Sequence, residues 1–438
     1  MHIPEWSAVS TTIDDKDKSF SKQIKAELVS QPLRSILSRL NGLASSDVID
    51  AAICMGDFTT RGATEHIRPA VEVLTNLLVD NYSDREIAKF AVPGNHDVNK
   101  KEALVHGSLE KFGALEAALS EFGWPSPPIE DCLRYEVQSL DGLSLPVHLL
   151  NSSIGSWSIH LLPEPIQREL SEELIGTSPI DLAREDSEAS AKLGLPIGND
   201  FENREEQVYH QMDTPYFPVA ALQSLKGFMD ETSDDTVVVV AHHNILPQTT
   251  PRISHYSELL NSGQVREFFQ NSKKTIVYLH GHIHDDPVER VTRVNVHNEN
   301  DVDSEVIAIS APPIWKGFNE VCLFFDQDEE IFLVRVTEYR PDSLGTVGNF
   351  NDQKSRYIPV KARIEHLVTQ EVQRVWAIMK DKRTLSWKEV TTLAERQSLS
   401  DDQVEHALLS LFCCSLVRIG HLGRDRERWR IKVNEAIS

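Results

Sequence analysis

The strongest constraint on the fold is a set of four short apolar runs, each followed by histidine, asparagine or aspartate and three of them also by glycine. The run at residues 236–241 is almost pure valine and lacks the apolar-polar alternation of strands that have one solvent-exposed face. Similar runs lie at 49–55, 87–92 and 275–279. Runs of this kind are typical of strands buried on both faces of a parallel sheet that helices cover. The sequence therefore predicts a layered α/β core.

Helical spacing of apolar residues separates or precedes these runs. The helical patterns lie at residues 20–43, 70–79 and around 265–269. Strands that alternate with helices favour an α/β fold. Further strand-like runs are expected to complete a second sheet of a sandwich, at 306–310, 321–325 and 331–336.

Changes of pattern predict three parts along the chain. We expect an α/β domain over residues 1–340, a polar linker over 341–360 and a small domain over 361–438. Within the first domain, residues 153–210 are weakly apolar and rich in acids, which indicates an insertion. A surface excursion and a cap over a site are both open interpretations of that insertion.

The C-terminal part resembles a winged helix-turn-helix. Its three helical patterns and its two strand-like runs lie at 371–379, 387–396, 403–417, 416–419 and 428–433. Ser386 and Ser400 are expected to be the N-caps of the second and third helices. The arginines around the turn favour a nucleic-acid partner, and a protein-interaction module with a charged rim is an equal alternative.

Charge is distributed unevenly along the chain. The net charge is −23, and residues 361–438 carry 14 basic against 11 acidic residues, a net of +3 that leaves −26 for the remainder. An acidic protein repels phosphates at long range, so any nucleic-acid contact is expected in the tail. No apolar run reaches the roughly 18 residues that span a bilayer, and the first ten residues lack a signal-peptide pattern. With five cysteines and no C-x-x-C spacing, we expect a cytoplasmic protein without membrane contact.

Four motifs follow the apolar runs at the strand ends, where open α/β sheets hold their ligands. They are Gly56-Asp57 with Gly62, Gly94-Asn95-His96-Asp97, His242-His243, and Gly281-His282-x-His284. Carboxylate, amide and imidazole ligands together suit Mn, Fe or Zn and do not suit Ca. The four motifs therefore predict a transition-metal site.

In this order, the motifs resemble those of calcineurin-like metallophosphoesterases, including bacterial members. The resemblance spans about residues 20–330 and implies a four-layer α/β/β/α sandwich with two divalent metal ions. It also implies an enzyme that hydrolyses phosphate mono- or diesters with a metal-activated hydroxide. Nucleotides, cyclic nucleotides and nucleic-acid ends remain open as substrates.

The same resemblance assigns roles to individual residues. Asp57 would bridge the two ions, His284 would bind one of them, and Asn95, His242 and His282 would complete the other.

Two further residues of the second motif are assigned to catalysis. His96 would face the substrate, and Asp97 would orient the His96 imidazole. The family position corresponds to the first histidine of the pair at 242–243, so His243 is expected to be structural. Arg61 is more simply a solvated loop residue than a phosphate ligand.

One motif of the family is missing. Its members begin with a strand that ends in Asp-x-His, and no Asp-x-His precedes Asp57 here. Residues 1–7 are only faintly similar, with Glu5 and Ser7 in the places of the aspartate and the histidine. Either the sequence starts late, or the first site is incomplete and holds its ion weakly through Asp57 and His284, with Glu5 as a further candidate.

Two alternatives to an active enzyme stay open. One is a catalytically impaired, metal-binding scaffold whose tail binds DNA or a protein partner, and the missing motif is its best support. The other is a transcription factor with an incidental core.

Overall fold

The computed structural model describes residues 36, 38–44, 49–59, 64–78, 87–103, 109–139, 142–156, 215–246, 259–282, 288–292, 304–340, 354–360 and 364–434. The chain divides into two compact units. The first comprises Met1–Ser233 and Val237–Lys316, and the second comprises Asp234–Thr236 and Gly317–Ser438. Residues 38–44 are helical and confirm the C-terminal end of the helix expected at 20–43.

The first unit contains a six-stranded sheet with the order β3-β4-β5-β6-β8-β7. Its strands are β3 (Leu133–Gln138), β4 (Ser144–Leu149), β5 (Thr236–Val240), β6 (Thr275–His280), β7 (Glu289–Thr292) and β8 (Glu305–Ser310). Parallel pairing joins β4 to β5 and β6 to β8, and antiparallel strands β3 and β7 lie at the edges. All residues of β5, β6 and β8 are buried, as their unbroken apolar runs predict. The predicted α/β fold with a parallel core is confirmed.

A second, two-stranded sheet lies in the same unit. Its strands β1 (Ala51–Cys54) and β2 (Ala88–Ala91) pair in parallel, in register from Ala51 opposite Ala88. Both strands lie within runs predicted from the sequence. Each is followed within a few residues by a loop that carries one of the glycine-containing motifs.

Helices cover these sheets because their apolar residues recur on one side. The helices of the first unit are α1 (Ile67–Leu77), α2 (Lys100–Ala103), α3 (Gly113–Glu121), α4 (Val219–Glu231) and α5 (Ser262–Asn271). In α1 the buried positions Ile67, Ala70, Val71 and Leu74 have helical spacing, and α1 packs against α3. Buried residues of α4 and α5 join the core of the six-stranded sheet.

The second unit begins with an antiparallel sheet of three strands, β9 (Phe318–Phe325), β10 (Ile331–Tyr339) and β11 (Lys354–Pro359). The expectation of a linker over 341–360 needs a correction, because residues 354–359 form β11 and pair with Leu333 to Glu338 of β10. Polar residues that alternate along the sequence are compatible both with a partly exposed edge strand and with a loop, so the sequence does not distinguish the two. The Thr337 and Ser355 hydroxyls, 2.9 Å apart, reinforce the pairing.

The division between the units also differs from the expected boundary at residue 340, since it falls at Lys316 and Gly317. One apolar core explains the difference. Phe332 and Leu333 of β10 pack in the same cluster as Trp387 and Trp429 of the tail. Because β10 shares an apolar core with the tail, β9 and β10 belong to the same unit as the residues C-terminal to them.

In its described residues, 364–434, the tail has four α-helices and a three-stranded antiparallel sheet in the order β12-β14-β13. The elements are α6 (Ile364–Leu367), α7 (Gln370–Met379), β12 (Thr384–Ser386), α8 (Trp387–Glu395), α9 (Asp401–Cys413), β13 (Val417–Gly420) and β14 (Arg430–Val433). Ser386 and Ser400 are N-caps, as expected, and each forms a capping box. Strand β12 and helix α6 were not expected. Assignment of the tail as a winged helix stays a prediction.

Within the part of the chain that the structure describes, no helix combines the length and the apolar character needed to cross a membrane.

The capping box of α8 yields a stability prediction. Replacing Ser386 by alanine removes the hydroxyl that accepts the Glu389 N–H, so Ser386→Ala should lower the free energy of unfolding by about 1 kcal/mol. Urea denaturation measures the change. The control is Thr392→Ala on the exposed side of α8, which should not destabilise the protein. Equal losses in both variants would contradict the role of the cap.

Candidate metal centre

Four loops of the first unit supply the candidate site, two from each sheet. Asp57 follows β1 and Asn95 follows β2, while His242 follows β5 and His282 follows β6. Asp57, Asn95 and His242 are each only 1% exposed. Buried polar side chains require partners, and their mutual contacts show how these loops are held together.

Asp97 joins the loops of the two-stranded sheet. Its carboxylate accepts hydrogen bonds from the backbone N–H groups of Asp57 at 2.8 Å, Phe58 at 2.7 Å and Gly94 at 3.0 Å. Burial, and next the charge of Asp57, raise the pKa of the Asp97 carboxyl to about 6, against the lowering effect of the bonds from Gly94 and Phe58. Asp97 thus fixes the first motif against the second.

The role expected for Asp97, to orient the His96 imidazole, stays a prediction. Among the described residues, the hydrogen bonds of the Asp97 carboxylate go to three backbone N–H groups rather than to the His96 imidazole. The backbone of His96 is held instead. Its N–H donates to Asp57 Oδ1 at 3.0 Å, and its carbonyl accepts the Thr59 hydroxyl at 2.8 Å.

Three candidate ligand atoms converge at His242. Its Nε2 lies 3.1 Å from Asn95 Oδ1 and 3.2 Å from Asp57 Oδ2. Neighbouring ligands of one transition-metal ion are separated by about 3 Å, since each bond is about 2.1 Å long. His242 Nδ1 is within hydrogen-bond distance of the Met55 carbonyl oxygen. That contact orients the ring and leaves Nε2 directed at the two oxygens, as in metal sites where a histidine donates its other N–H.

Electrostatics at His242 agree with a site for a cation. Burial lowers the pKa of His242, but the charge of Asp57 and the contacts with Asp57 and Met55 raise it by more, so the pKa lies above its ordinary value. The buried Asp57 carboxylate therefore attracts positive charge. A divalent cation bound between these atoms would satisfy that attraction better than a proton does.

The close approach of the two motif loops requires glycine. A Cβ atom on Gly94 would overlap the side chain and backbone nitrogen of Asp57, and a Cβ on Gly56 would overlap Gly94. Gly56 also has a φ of +82°, a conformation that favours glycine. Asp57 and His282 each have a φ of +56°, which is uncommon outside glycine and marks backbone strain at functional positions.

His282 and His243 extend the group of histidines. Ligand atoms of His242, His243 and His282 lie within 4.8 Å of one another, and the rings of His243 and His282 are 4.4 Å apart. Ser152 Oγ lies 2.9 Å from His243 Nδ1 and accepts the His243 backbone N–H at 3.0 Å. The structure therefore places His243 among the candidate ligands, although the sequence pattern indicates a structural role. Ser152 carries no motif signal, and only the folded strand β4 brings it here.

A buried segment beyond β4, residues 151–156, supports the second motif. The Ser153 hydroxyl donates to the Pro93 carbonyl at 3.1 Å. The Lys111 ammonium donates to the Ile154 carbonyl and, at 3.2 Å, to the Ser156 carbonyl. Both contacts were missed by sequence reasoning, because a lysine within an amphipathic segment carries no signal of burial.

Several expected residues lie outside the described residues. They are His284, Gly62, Arg61, Glu5, Ser7 and most of the acidic insertion. Their assigned roles stay predictions, and so does the completeness of the first metal site.

The residues present fit a divalent transition metal. One carboxylate, one amide oxygen and two or three imidazoles form a mixed N and O donor set, and the group at His242, His243 and His282 is compact enough to surround an ion. The distances from His242 Nε2 to Asn95 Oδ1 and to Asp57 Oδ2 are already those between ligands of one ion.

A family model described as calcineurin-like phosphoesterase matches residues 29–161. This segment belongs to the calcineurin-like phosphoesterases. The match confirms the resemblance seen in the motifs. It also confirms the prediction of a phosphoester hydrolase that uses divalent metal ions. It includes Asp57 and the motif at 94–97, while His242 and His282 lie C-terminal to it. The bacterial type and the identity of the metal are not confirmed.

Among solved structures, a dimetal phosphatase from Danio rerio is 14% identical over 70% of this chain and 85% of that chain, with a TM-score of 0.38. A Staphylococcus aureus protein assigned as a 5'-nucleotidase and crystallised with alpha-ketoglutarate is 14% identical over 79% of this chain and 52% of that chain, with a TM-score of 0.32. Similarities this weak identify no substrate for the phosphoesterase. No curated protein has a significant sequence match to the chain.

The contact between Gly94 and Asp57 yields a prediction for metal binding. Gly94→Ala should weaken Mn(II) binding at least about tenfold, because the new Cβ displaces the Asp57 carboxylate. Isothermal titration with Mn(II) measures the affinity. The matched control is Gly227→Ala in α4, where a Cβ meets no atom within 4 Å. Unchanged affinity in Gly94→Ala would contradict the proposed ligand role of Asp57.

Lys111 yields a prediction for the pH dependence of stability. Burial lowers the pKa of its ammonium from 10.5 to about 8. Between these values the unfolded chain holds a proton that the folded protein has lost, so the free energy of unfolding should rise with pH. The measured quantity is the free energy of unfolding of the unaltered protein minus that of Lys111→Met. This difference should rise by roughly 1–3 kcal/mol between pH 8 and 10.5 and should be constant below pH 7. Urea denaturation across this range tests it, and a flat difference would contradict the prediction.

Proposed function

We propose that this protein hydrolyses phosphate mono- or diesters at a metal centre held by Asp57, Asn95, His242 and His282. The observation that carries the proposal is that Asn95 Oδ1 and Asp57 Oδ2 each lie within 3.2 Å of His242 Nε2. A bound divalent ion supplies Lewis-acid activation of water and neutralises negative charge on the phosphate. Two further residues are candidate ligands: His284, and His243, whose ring lies next to that of His282.

His96 is proposed as the residue that faces the phosphate. In the second motif Asn95 and Asp97 are buried, whereas His96 is partly exposed, so its imidazole is the one of the three side chains with access to solvent. Bonds from the His96 N–H to Asp57 and from Thr59 to the His96 carbonyl fix the backbone of His96 relative to the metal ligands. The imidazole can therefore donate a proton or a hydrogen bond to an ester oxygen.

Asp97 is proposed to hold the two ligand-carrying loops in place rather than to accept a hydrogen bond from the His96 imidazole. Its three accepted N–H groups belong to the loops that carry Asp57 and Asn95. The phosphoesterase would lose metal ligation as well as rate if this carboxylate were replaced. Nucleotides, cyclic nucleotides and nucleic-acid ends are all proposed substrates, because phosphate coordination alone selects none of them.

The tail is proposed to be a winged-helix-like domain that contacts a nucleic acid or a protein, in a cytoplasmic protein. Support comes from the order of helices α7, α8 and α9 and strands β12, β13 and β14, with Ser386 and Ser400 as caps. The scaffold alternative is favoured by the missing Asp-x-His motif, and turnover distinguishes it from an enzyme.

Turnover is tested with bis-p-nitrophenyl phosphate and p-nitrophenyl phosphate in the presence of Mn(II). His96→Ala should lower kcat by roughly 10²–10⁴-fold while Mn(II) affinity stays unchanged. His421→Ala, at an exposed position of the tail, serves as the control and should retain full activity. Metal binding without turnover of either ester by the unaltered protein would favour the scaffold, and equal activity of His96→Ala would contradict the role of His96.

A further inference from the structure

The outward-facing positions of the sheet β12-β14-β13 hold basic side chains together with small polar residues and a glycine. Apolar side chains of these strands, such as Leu385 and Ile431, point into the core. The alternating positions point outward and form what we call the basic sheet face: Thr384, Ser386, Arg418, Gly420, Arg430 and Lys432. This face combines three cations, two hydroxyls and a glycine, and it includes no acidic or apolar side chain.

Strand register places cations of this face next to each other. Arg418 of β13 lies directly opposite Lys432 of the central strand β14, and Arg430 lies opposite Gly420. Like charges at directly opposed positions repel each other, and an anion bound to the face would be attracted by both cations. Just before β12, Lys382 and Arg383 are exposed and add to the same charge.

An acid beside the face, Glu389, is bound within the cap of its own helix. Glu389 is engaged in the capping box with Ser386, whose N–H and hydroxyl both donate to Glu389 Oε2 at 2.7 Å. These bonds lower the pKa of Glu389, and the charges of Arg430 and Lys382 lower it further. The Glu389 carboxylate therefore lies near Arg430 and Lys382 and is at the same time held by Ser386.

The third helix of the tail is unsuited to an anionic partner. In a helix-turn-helix the N-terminal residues of the recognition helix contact the bases, but α9 begins with Asp401 and Asp402. The arginine nearest to them, Arg426, is occupied by Asp402 at 3.2 Å and Glu405 at 2.9 Å, and it lies over the Trp387 ring. The acidic first turn of α9 disfavours insertion of that helix into a groove.

We propose that the basic sheet face binds the sugar-phosphate backbone of a nucleic acid. Contacts to the backbone need cations and small hydrogen-bond donors, which the face offers through Arg418, Arg430, Lys432 and Thr384. A protein partner would bury aromatic or apolar anchors, and the face has none. Nucleic acid is therefore the occupant that matches its chemistry, independently of hydrolysis at the metal centre.

The test uses the full chain and fluorescence anisotropy with a labelled 20-base-pair DNA duplex and its single strand, in buffer that contains EDTA. The variant Arg418→Gln, Arg430→Gln, Lys432→Gln should bind at least about tenfold more weakly. For this variant, the slope of log affinity against log salt concentration should be smaller in magnitude by about 2–3, because each lost phosphate contact removes about 0.9 from the slope.

The control variant is Arg374→Gln, Lys380→Gln, Arg396→Gln, which removes the same charge from exposed positions of α7 and α8 or their ends. Its affinity should stay within about twofold of the unaltered protein. The conservative variant Arg418→Lys, Arg430→Lys should also keep its affinity, which separates loss of charge from loss of fold. Absence of DNA binding, equal weakening of both triple variants, or tighter binding of a polyglutamate peptide than of DNA would overturn the proposal.

Discussion

The candidate metal centre depends on one buried carboxylate, that of Asp97. It accepts backbone N–H groups from both loops of the two-stranded sheet, and no other described side chain joins these loops through three such bonds. Burial beside Asp57 is costly, as the raised pKa of Asp97 shows. That cost is partly offset by the backbone hydrogen bonds, which stabilise the charged carboxylate and hold the loop of Asp57 to the loop of Asn95. Glycine at position 94 is the second requirement, since a larger residue would occupy the place of that carboxylate.

Much of the fold and of the site could be predicted because the signals are local. Unbroken apolar runs identify buried strands such as β5, and a serine three residues before a glutamate or glutamine identifies a cap such as Ser386. Ligand-type residues after such strands meet at one place because parallel strands end at the same edge. This argument applies within each sheet, to Asp57 with Asn95 and to His242 with His282. The contacts of His242 with Asn95 and Asp57 join the two sheets, and the folded structure alone shows them.

The rest could not be predicted because it depends on contacts between distant parts of the chain. Ser152 reaches His243 across 91 positions of sequence, and Lys111 is buried against carbonyls more than 40 positions away. The unit boundary near Gly317 follows from a core that β10 shares with the tail, which no local pattern indicates. The bonds of Asp97 likewise go to backbone groups, and a motif shows side chains only.

The central claim is that the loops held by Asp97 form one metal centre. Anomalous X-ray diffraction from crystals grown with Mn(II) tests it most directly. The account predicts a strong anomalous peak within about 2.3 Å of His242 Nε2, Asn95 Oδ1 and an Asp57 carboxylate oxygen. With Mn(II) at saturating concentration, an empty position between these atoms, or a peak bound only at other residues, would contradict it.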